Sequence, residues 1–384
     1  MRSTRFVTTG MAAGLVAGAV LLLASCGGDT ASQTPEPNPE ISTPAPMPSE
    51  SAESSDVSEP QPVPAPGVTV GAPATVTNEL TAPWSVAFYG EIALVNERDS
   101  ARILEVDDAG HLREVGTVAQ ASARGEGGLL GMAVQDDYLY AYFTTDHDNR
   151  IERYPLSGDT GSLALGSAEV LLADIPAASY HNGGRLAFGP DGMIYATTGD
   201  AGDTGLSQDL DSLAGKILRL TPDGEVPSDN PFDGSYIYSY GHRNPQGIAW
   251  AGDGSMFASE FGQNTWDELN IIEPGGNYGW PIVEGIAGDE SYIDPVQQWE
   301  PSEASPSGIA IVGDSIFIAN LRGERLREVP VSAPHSSVNY FVGEYGRLRD
   351  VVSTPDGGLW VVTNNTDGRG SPGADDDRIL NVAT

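Results

Sequence analysis

The hydrophobic and polar positions of this chain follow one short pattern that occurs six times. Each copy starts with a small residue or Val, continues through a turn rich in Asp, Gly or Pro, and ends in a run of apolar and aromatic residues. The copies begin at Ala87, Ala133, Ala187, Ala249, Ala310 and Val352. Each copy is typical of two strands joined by a tight turn. The separations of 46, 54, 62, 61 and 42 residues suit blades with loops. The pattern predicts an all-β fold, a six-bladed β-propeller with four-stranded blades.

The segments beside these hairpins are expected to meet at one end of the molecule. In a propeller the first strand of each blade lines the central channel, so the segments before the first strands and after the second strands surround one axis. The candidate site residues in these segments are Glu126, His181, Asp200, Arg243, Asn244, Gly262, Arg322, Arg347 and Arg349. The sequence therefore predicts one cavity that is lined by a histidine, acidic groups and four arginines.

The charge balance makes the arginines in this set conspicuous. The chain has 19 Lys and Arg against 54 Asp and Glu, a net charge of -35. Such bulk acidity argues against nucleic acid and anionic membrane surfaces as partners. A local arginine cluster in an acidic protein indicates a small ligand with several carboxylates or phosphates, because guanidinium groups pair with such oxyanions bidentately.

The first 25 residues have the features of an export signal. Arg2 and Arg5 precede an apolar run of 13 residues, 11–23, which is too short to span a bilayer comfortably. The run leads into Leu-Ala-Ser-Cys, which resembles a bacterial lipoprotein cleavage box and ends at Cys26, the only cysteine. We expect residues 1–25 to be a lipoprotein signal peptide and Cys26 to be lipidated. The protein would then sit on the outer face of the cell membrane, held only by its lipid anchor.

Residues 26–71 are predicted to be a tether. Within them, residues 27–66 contain ten prolines, seven acidic residues, no basic residues and no aromatics. Burial of the little apolar surface in this segment would not compensate for the conformational entropy lost on folding. Residues 72–384 are then predicted to form the propeller, which is the catalytic domain.

Several motifs occur in an order that resembles a known family. They read HNGGRLAFGPDGMIYATTGDAGD, SLAGKILRLTPDG, YGHRNPQGIAW, EFGQNTWDELN with GGNYGWP, and RLRDV. Together they resemble the soluble glucose and aldose sugar dehydrogenases that depend on pyrroloquinoline quinone (PQQ), the glucose/sorbosone dehydrogenase family. The resemblance covers nearly all of residues 78–384. It implies a propeller that binds PQQ and calcium at the top of the channel and oxidises an aldose at its anomeric carbon to a lactone, with an external electron acceptor.

The chemistry of such a reaction requires a base, and the sequence offers one. A sugar hemiacetal loses a hydroxyl proton together with a hydride, so a base must lie within hydrogen-bond reach of that proton. His181, in a Gly-flanked turn before a predicted axial strand, occupies the place of the family's base. Asp200, after the second strand of the same blade, is expected to orient the imidazole. The alternative for His181 is a histidine that merely satisfies a loop.

The resemblance also implies roles for the cationic residues. Arg243 and Asn244 match positions that contact the reactive edge of the quinone, and a fixed guanidinium there stabilises developing negative charge. Arg322, Arg347 and Arg349 match basic residues around the cofactor carboxylates. As an alternative, these three arginines neutralise nearby acidic residues, namely Glu324, Glu344 and Asp350.

The roles of Glu126 and of the calcium ligands are implied by the resemblance more than by the chemistry of the residues. Glu126 takes the place of a glutamine in glucose-specific members, and a carboxylate beside a tricarboxylate cofactor requires a compensating proton or cation. Calcium is expected on the main-chain carbonyls of Gly262 and Gln263, which leave no side-chain signature. The loop after NYGWP, which holds a second calcium in some relatives, offers Glu284, Asp289 and Glu290 here, and it is expected to be a solvated acidic loop instead.

Two other functions remain open at this stage. A calcium-dependent propeller lactonase would need side-chain carboxylates and Asn on the axis, whereas the predicted axial set is mostly cationic. A non-catalytic sugar-binding propeller would be marked by loss of His181 or of the arginines, and both are present.

Overall fold

The computed structural model describes residues 68–384, which form six antiparallel sheets in a ring. First strands of neighbouring sheets contact one another around the ring and line its channel. The predicted six-bladed β-propeller is therefore confirmed. Within residues 68–384 the one helix is a short 3₁₀ turn, Thr204–Ser207. No helix in this part of the chain is long and apolar enough to cross a membrane.

The strands are numbered in chain order, and β1 (Ala74–Thr77) precedes the first complete blade. Blade one contains β2 (Pro83–Tyr89), β3 (Ile92–Glu97), β4 (Arg102–Val106) and β5 (Leu112–Thr117). Blade two contains β6 (Leu129–Gln135), β7 (Tyr138–Thr144), β8 (Asn149–Ser157), β9 (Ala164–Leu165) and β10 (Glu169–Ile175). Blade three contains β11 (Leu186–Phe188), β12 (Ile194–Thr198), β13 (Lys216–Leu220) and β14 (Ile237–Tyr240).

The second half of the ring continues in the same way. Blade four contains β15 (Pro245–Trp250), β16 (Met256–Glu260), β17 (Asp267–Ile272) and β18 (Gln297–Trp299). Blade five contains β19 (Pro306–Val312), β20 (Ser315–Asn320), β21 (Arg325–Pro330) and β22 (Val338–Tyr340). Blade six contains β23 (Leu348–Ser353), β24 (Leu359–Thr363) and β25 (Ile379–Val382), and β1 is its outer strand.

The two ends of the described chain close the ring together. Strand β1 pairs antiparallel with β25, so that Ala74 lies opposite Asn381. Upstream of β1, Val68 and Val70 pack against the apolar cluster of blades five and six. Contacts with the propeller thus begin before residue 72, where composition placed the boundary. The predicted signal peptide (residues 1–25), the lipidation of Cys26 and most of the tether lie outside the described residues.

Each repeated copy in the sequence is the hairpin of the first two strands of a blade. In blade one, Tyr89 pairs with Ile92 across the turn, and Gly90 supplies the positive φ of 61° that the turn requires. The strands are apolar on both faces because neighbouring blades cover them. Tyr142 and Phe143, adjacent in β7, are both fully buried.

The hairpin geometry brings the start of the first strand next to the end of the second. The amide of Arg98 donates to the carbonyl of Ala82 at 3.0 Å, and the amide of Asn364 donates to the carbonyl of Arg347 at 2.8 Å. The expected convergence of lead-in and exit segments therefore occurs, and it determines where the candidate residues lie.

Candidate active site

Blade three places His181 beside Asp200. His181 precedes β11 and Asp200 follows β12, and the imidazole Nδ1 lies 2.7 Å from Asp200 Oδ1. The Asp200 side chain is fully buried and also accepts hydrogen bonds from the Gly202 amide at 2.8 Å and the Trp280 indole at 2.9 Å. Because a carboxylate only accepts, Nδ1 of a neutral imidazole donates to it and Nε2 remains the acceptor. The predicted orienting role of Asp200 agrees with this geometry.

The surroundings of Asp200 keep it ionised. Burial by itself would raise the pKa of this carboxyl, but hydrogen bonds from His181 and Gly202 outweigh burial and lower its pKa below the usual value. A permanent negative charge at Asp200 stabilises a protonated imidazole. The pair is therefore suited to accept a proton at Nε2.

The main chain of His181 is held in a conformation that histidine seldom adopts. Its φ is 58°, in the left-handed region. The His181 amide donates to Glu126 Oε2 at 3.1 Å. On its other side, a Cβ at Gly199 would lie 2.0 Å from the His181 carbonyl oxygen, so glycine is required for this close approach. Glu126 thus contacts the main chain of His181.

A buried carboxylate organises the next lead-in segment. Glu260, the last residue of β16, accepts hydrogen bonds from the amides of Arg243 and Asn244. Its other oxygen lies 2.8 Å from Nδ1 of His242, which is fully buried and stacks on Tyr278. Arg243 and Asn244 are therefore positioned through their backbone, and His242 supports the turn without reaching the cavity.

The side chains of Arg243 and Asn244 retain unused donors. Arg243 Nη1 donates to the carbonyls of Phe261 at 3.2 Å and Gly262 at 2.5 Å, and its guanidinium lies 5.5 Å from the Trp280 ring centroid. Arg243 Nε and Asn244 Nδ2 are buried and have no partner within the described part of the chain. Burial lowers the pKa of Arg243 while Asp200 and Glu260 oppose this effect.

Blade six contributes two buried arginines that share one carboxylate. Arg347 Nη2 lies 3.1 Å from Asp367 Oδ2, and Arg349 Nη2 lies 3.8 Å from the same oxygen. Arg349 otherwise donates to neutral oxygens, with Gln246 Oε1 at 2.8 Å. Burial disfavours the charged form of Arg349 and lowers its pKa. This part of the site has an excess of positive charge.

The acids that pair with Arg347 and Arg349 are not the three named by the alternative, Glu324, Glu344 and Asp350. Asp350, between them in sequence, points to the other side of its strand and pairs with Arg185 at 3.0 Å. Within residues 68–384, neither Glu324 nor Glu344 forms an ion pair with Arg347 or Arg349.

Arg322 is not part of this buried group. Its side chain is exposed and lines a surface depression with Gln263 and Trp266. It forms no ion pair with the described residues. The structure thus places Arg322 apart from Arg347 and Arg349, and its contact with the cofactor stays a prediction.

The loop proposed for calcium is held by an unexpected acid. Glu284 Oε1 accepts hydrogen bonds from four successive amides, those of residues 263–266, at 2.7 to 3.1 Å. The expectation of a solvated acidic loop was therefore wrong for Glu284. Burial would raise the pKa of Glu284, but these amide hydrogen bonds lower it. The Gly262 carbonyl accepts from Arg243, whereas the Gln263 amide donates to Glu284.

Reasoning from the sequence missed Asp367, Glu260 and Arg369. Asp367 follows the second strand of blade six, so the rule that identified Asp200 would also have identified it. Glu260 ends the second strand of blade four, so the same rule applies to it, whereas Arg369 lies in a polar loop where no local signal marks it. Arg369 Nη2 lies 2.8 Å from Glu126 Oε1.

Comparison with known proteins agrees with this arrangement. A family model described as glucose / sorbosone dehydrogenase matches residues 80–371. Quinoprotein glucose dehydrogenase B of Acinetobacter calcoaceticus is 37% identical over 238 residues, which are 52% of this chain and 49% of that protein. This chain thus spans about half the length of that relative. The aldose sugar dehydrogenase YliI of Escherichia coli (strain K12) is 30% identical over 77% of this chain and 92% of its own length.

A solved structure is similar over the whole propeller. The PQQ-bound form of aldose sugar dehydrogenase from Streptomyces coelicolor shares 50% sequence identity with this chain, with a TM-score of 0.80. The match covers 83% of this chain and 99% of the Streptomyces protein. The family-model match extends over the segments that carry the histidine and the arginines.

Proposed function

The chain belongs to the glucose / sorbosone dehydrogenase family, and on this basis we propose that it oxidises an aldose at its anomeric carbon to the lactone, using PQQ and an external electron acceptor. One observation carries the proposal. His181 has its Nδ1 committed to the buried, ionised Asp200, and its partly exposed ring retains Nε2 as a proton acceptor. Such a pair is a competent base for a sugar hydroxyl.

The residues of the site suit an anionic cofactor with carbonyl groups. Arg243 Nε, Asn244 Nδ2 and Arg347 Nε are buried donors without partners in the described chain. Each such donor costs about 1–3 kcal/mol, which a bound acceptor would recover. Arg347 and Arg349 add uncompensated positive charge. Arg243, Asn244, Arg347 and Arg349 would therefore hold PQQ, with Arg322 at the rim.

The protein's own contribution to the reaction follows from these positions. When bound, PQQ supplies the quinone that accepts two electrons from the sugar. His181 takes the hydroxyl proton at Nε2, and Asp200 balances the positive charge that then forms on the imidazole. The fixed guanidinium of Arg243 favours negative charge beside it without any reorganisation during the reaction.

Calcium is the second cofactor of the proposal. Within residues 68–384, no group of three or more His, Cys, Asp or Glu side chains is arranged to hold a metal ion. A calcium ion would therefore depend on main-chain oxygens, those of Gly262 and Gln263, which are a ligand type that calcium accepts. It would share the Gly262 oxygen with Arg243.

We further propose that the protein is exported and anchored by a lipid on Cys26, with a sugar and an acceptor as partners and no nucleic acid. The support is the apolar run, the Leu-Ala-Ser-Cys box and the net charge of -35. Labelled palmitate should enter the wild-type protein in the producing cell. A Cys26→Ser variant that still incorporates the label would contradict lipidation at this residue.

The activity is tested with protein that starts after Cys26, loaded with calcium and PQQ and supplied with aldoses and a dye acceptor. We expect turnover that requires PQQ, and we expect His181→Ala to lower kcat by about 10²–10⁴-fold. His335→Ala is the matched control, because His335 is an exposed histidine whose Nδ1 contacts the Val296 carbonyl away from the site. If the wild-type protein neither binds PQQ nor turns over an aldose, the proposal is overturned. A lactonase or a binding protein would then remain.

A further inference from the structure

Glu126 is an acid in a place where an anionic cofactor is proposed to bind. Its carboxylate is partly buried and accepts the His181 amide at 3.1 Å, so it lies next to the base. A negative charge at this point repels an anionic ligand, unless a cation accompanies it.

The buried arginines of the site form no ion pair with Glu126. Arg347 and Arg349 lie 3.1 and 3.8 Å from Asp367, and Glu126 favours the charged form of Arg349 without contacting it. Arg243 donates to the carbonyls of Phe261 and Gly262. Within residues 68–384, the one ion pair of Glu126 is with Arg369.

Arg369 reaches Glu126 from the loop between β24 and β25. Its Nη2 lies 2.8 Å from Glu126 Oε1, and its side chain is 60% exposed. Its amide donates to Asp367 Oδ1 at 2.9 Å. The carboxylate that contacts Arg347 and Arg349 thus also fixes the backbone from which Arg369 extends. The segment 367–369 links the cofactor-binding arginines of blade six to the acid that contacts His181.

We propose that Arg369 is a positioning residue that compensates Glu126, so that this chain accommodates a carboxylate beside an anionic cofactor. The inference rests on the proposed function. The proposal predicts that the effect of Arg369 on PQQ affinity depends on the charge of residue 126. Arg369 matters for cofactor binding because Glu126 is charged, and it loses its importance when residue 126 is neutral. An arginine that contacts the cofactor directly would matter in both backgrounds.

The test is a PQQ titration of the calcium-loaded protein without sugar or acceptor, followed by the change in protein fluorescence. We expect Arg369→Gln to weaken PQQ binding about tenfold, because Glu126 is then left uncompensated. In the Glu126→Gln background the same substitution should change the affinity by less than about threefold. An equal loss in both backgrounds, or no loss in either, would overturn the inference.

Two controls separate this outcome from others. Arg153→Gln removes an arginine that pairs with the exposed Glu169 of blade two and Asp223 of blade three, and it should leave PQQ affinity unchanged. Thermal unfolding of the cofactor-free Arg369→Gln variant should match the wild type, since the Arg369 side chain is largely exposed. Wild-type protein that does not bind PQQ would refute the proposed function itself, whereas tight binding without coupling would refute only the role of Arg369.

Discussion

The site has a histidine side, formed by His181, Asp200 and Trp280, and an arginine side, formed by Arg347, Arg349 and Asp367. On the histidine side each contact joins a donor to a buried acceptor, with Asp200 receiving both rings at 2.7 and 2.9 Å. On the arginine side two guanidiniums share one carboxylate. The first side is complete in itself, whereas the second has positive charge that a ligand can compensate.

This difference separates two kinds of effect. A change on the histidine side should act on the rate of the chemical step, because its geometry does not depend on a ligand. A change on the arginine side should act on cofactor affinity, because its charge is compensated only when an anion is bound. The following experiments test that division, in order of expected size.

Asp200→Asn is expected to give the largest effect on kcat of these experiments. An amide cannot stabilise a positive imidazole as a carboxylate does, so kcat should fall by about 10–100-fold. PQQ affinity should change by less than about threefold. Asp203→Asn is the control, since the exposed Asp203 only accepts the Gly205 amide at 3.3 Å. A loss of PQQ affinity as large as the loss of kcat would show that the histidine side also binds the cofactor.

Arg347→Gln should lower PQQ affinity and leave kcat nearly unchanged, the opposite of Asp200→Asn. Loss of one charged donor is expected to weaken PQQ binding by about 10–100-fold, and kcat at saturating PQQ should stay within about threefold of the wild type. Fluorescence titration and steady-state kinetics measure the two quantities. A variant with normal affinity and reduced kcat would place Arg347 with the residues that act on the chemical step.

Glu268, in β17, is a buried acid, in contrast to the buried cations of the arginine side. It accepts from the Gly285 amide at 2.7 Å and from Asn270 Nδ2 at 3.1 Å but has no cationic partner in the described chain. Burial, followed by repulsion from Glu260, raises its pKa to about 8. The folded protein then retains a proton that the unfolded chain releases above its ordinary pKa of 4.5.

Stability should therefore fall as the pH rises from about 4.5 to about 8, by on the order of 1 kcal/mol per pH unit from this group. Glu268→Gln cannot ionise and should flatten that dependence. Denaturant unfolding at several pH values, without added divalent cations, measures the effect. Parallel pH profiles for the variant and the wild type would show that Glu268 ionises normally.

Arg322→Gln should have the smallest effect. Because the side chain is exposed and unpaired with the described residues, its removal should change PQQ affinity by less than about threefold. It is also the matched control for Arg347→Gln, since both variants lose one positive charge. A tenfold loss would show that Arg322 moves onto the cofactor when it binds.

Much of the site was predictable because its residues stand at fixed offsets from a repeated hairpin. His181 and Asp200 flank the first hairpin strands of blade three, and Arg347 precedes the first strand of blade six. Arg322 also stands at such an offset, yet its side chain is exposed. The offset predicts at which end of the blade a residue lies but not how deeply its side chain is buried.

Glu284 and Arg369 were beyond such reasoning. Glu284 contacts amides about 20 positions earlier in the chain, across a loop whose path no local pattern predicts. Arg369 meets Glu126 on a different blade. The first contact joins two loops of blade four and the second joins loops of blades six and two, and neither loop path follows from a local pattern.

Strand periodicity and turn residues were enough to predict the number of blades, the position of each hairpin and the pairing of His181 with Asp200. The physical reason is that strand periodicity and turn chemistry are local, and the repeat carries them around the ring. Only the tertiary structure decided which charges are paired and which remain free. Pairing depends on distances of a few ångströms between residues far apart in the chain, as for Asp367 with Arg349 and Glu126 with Arg369.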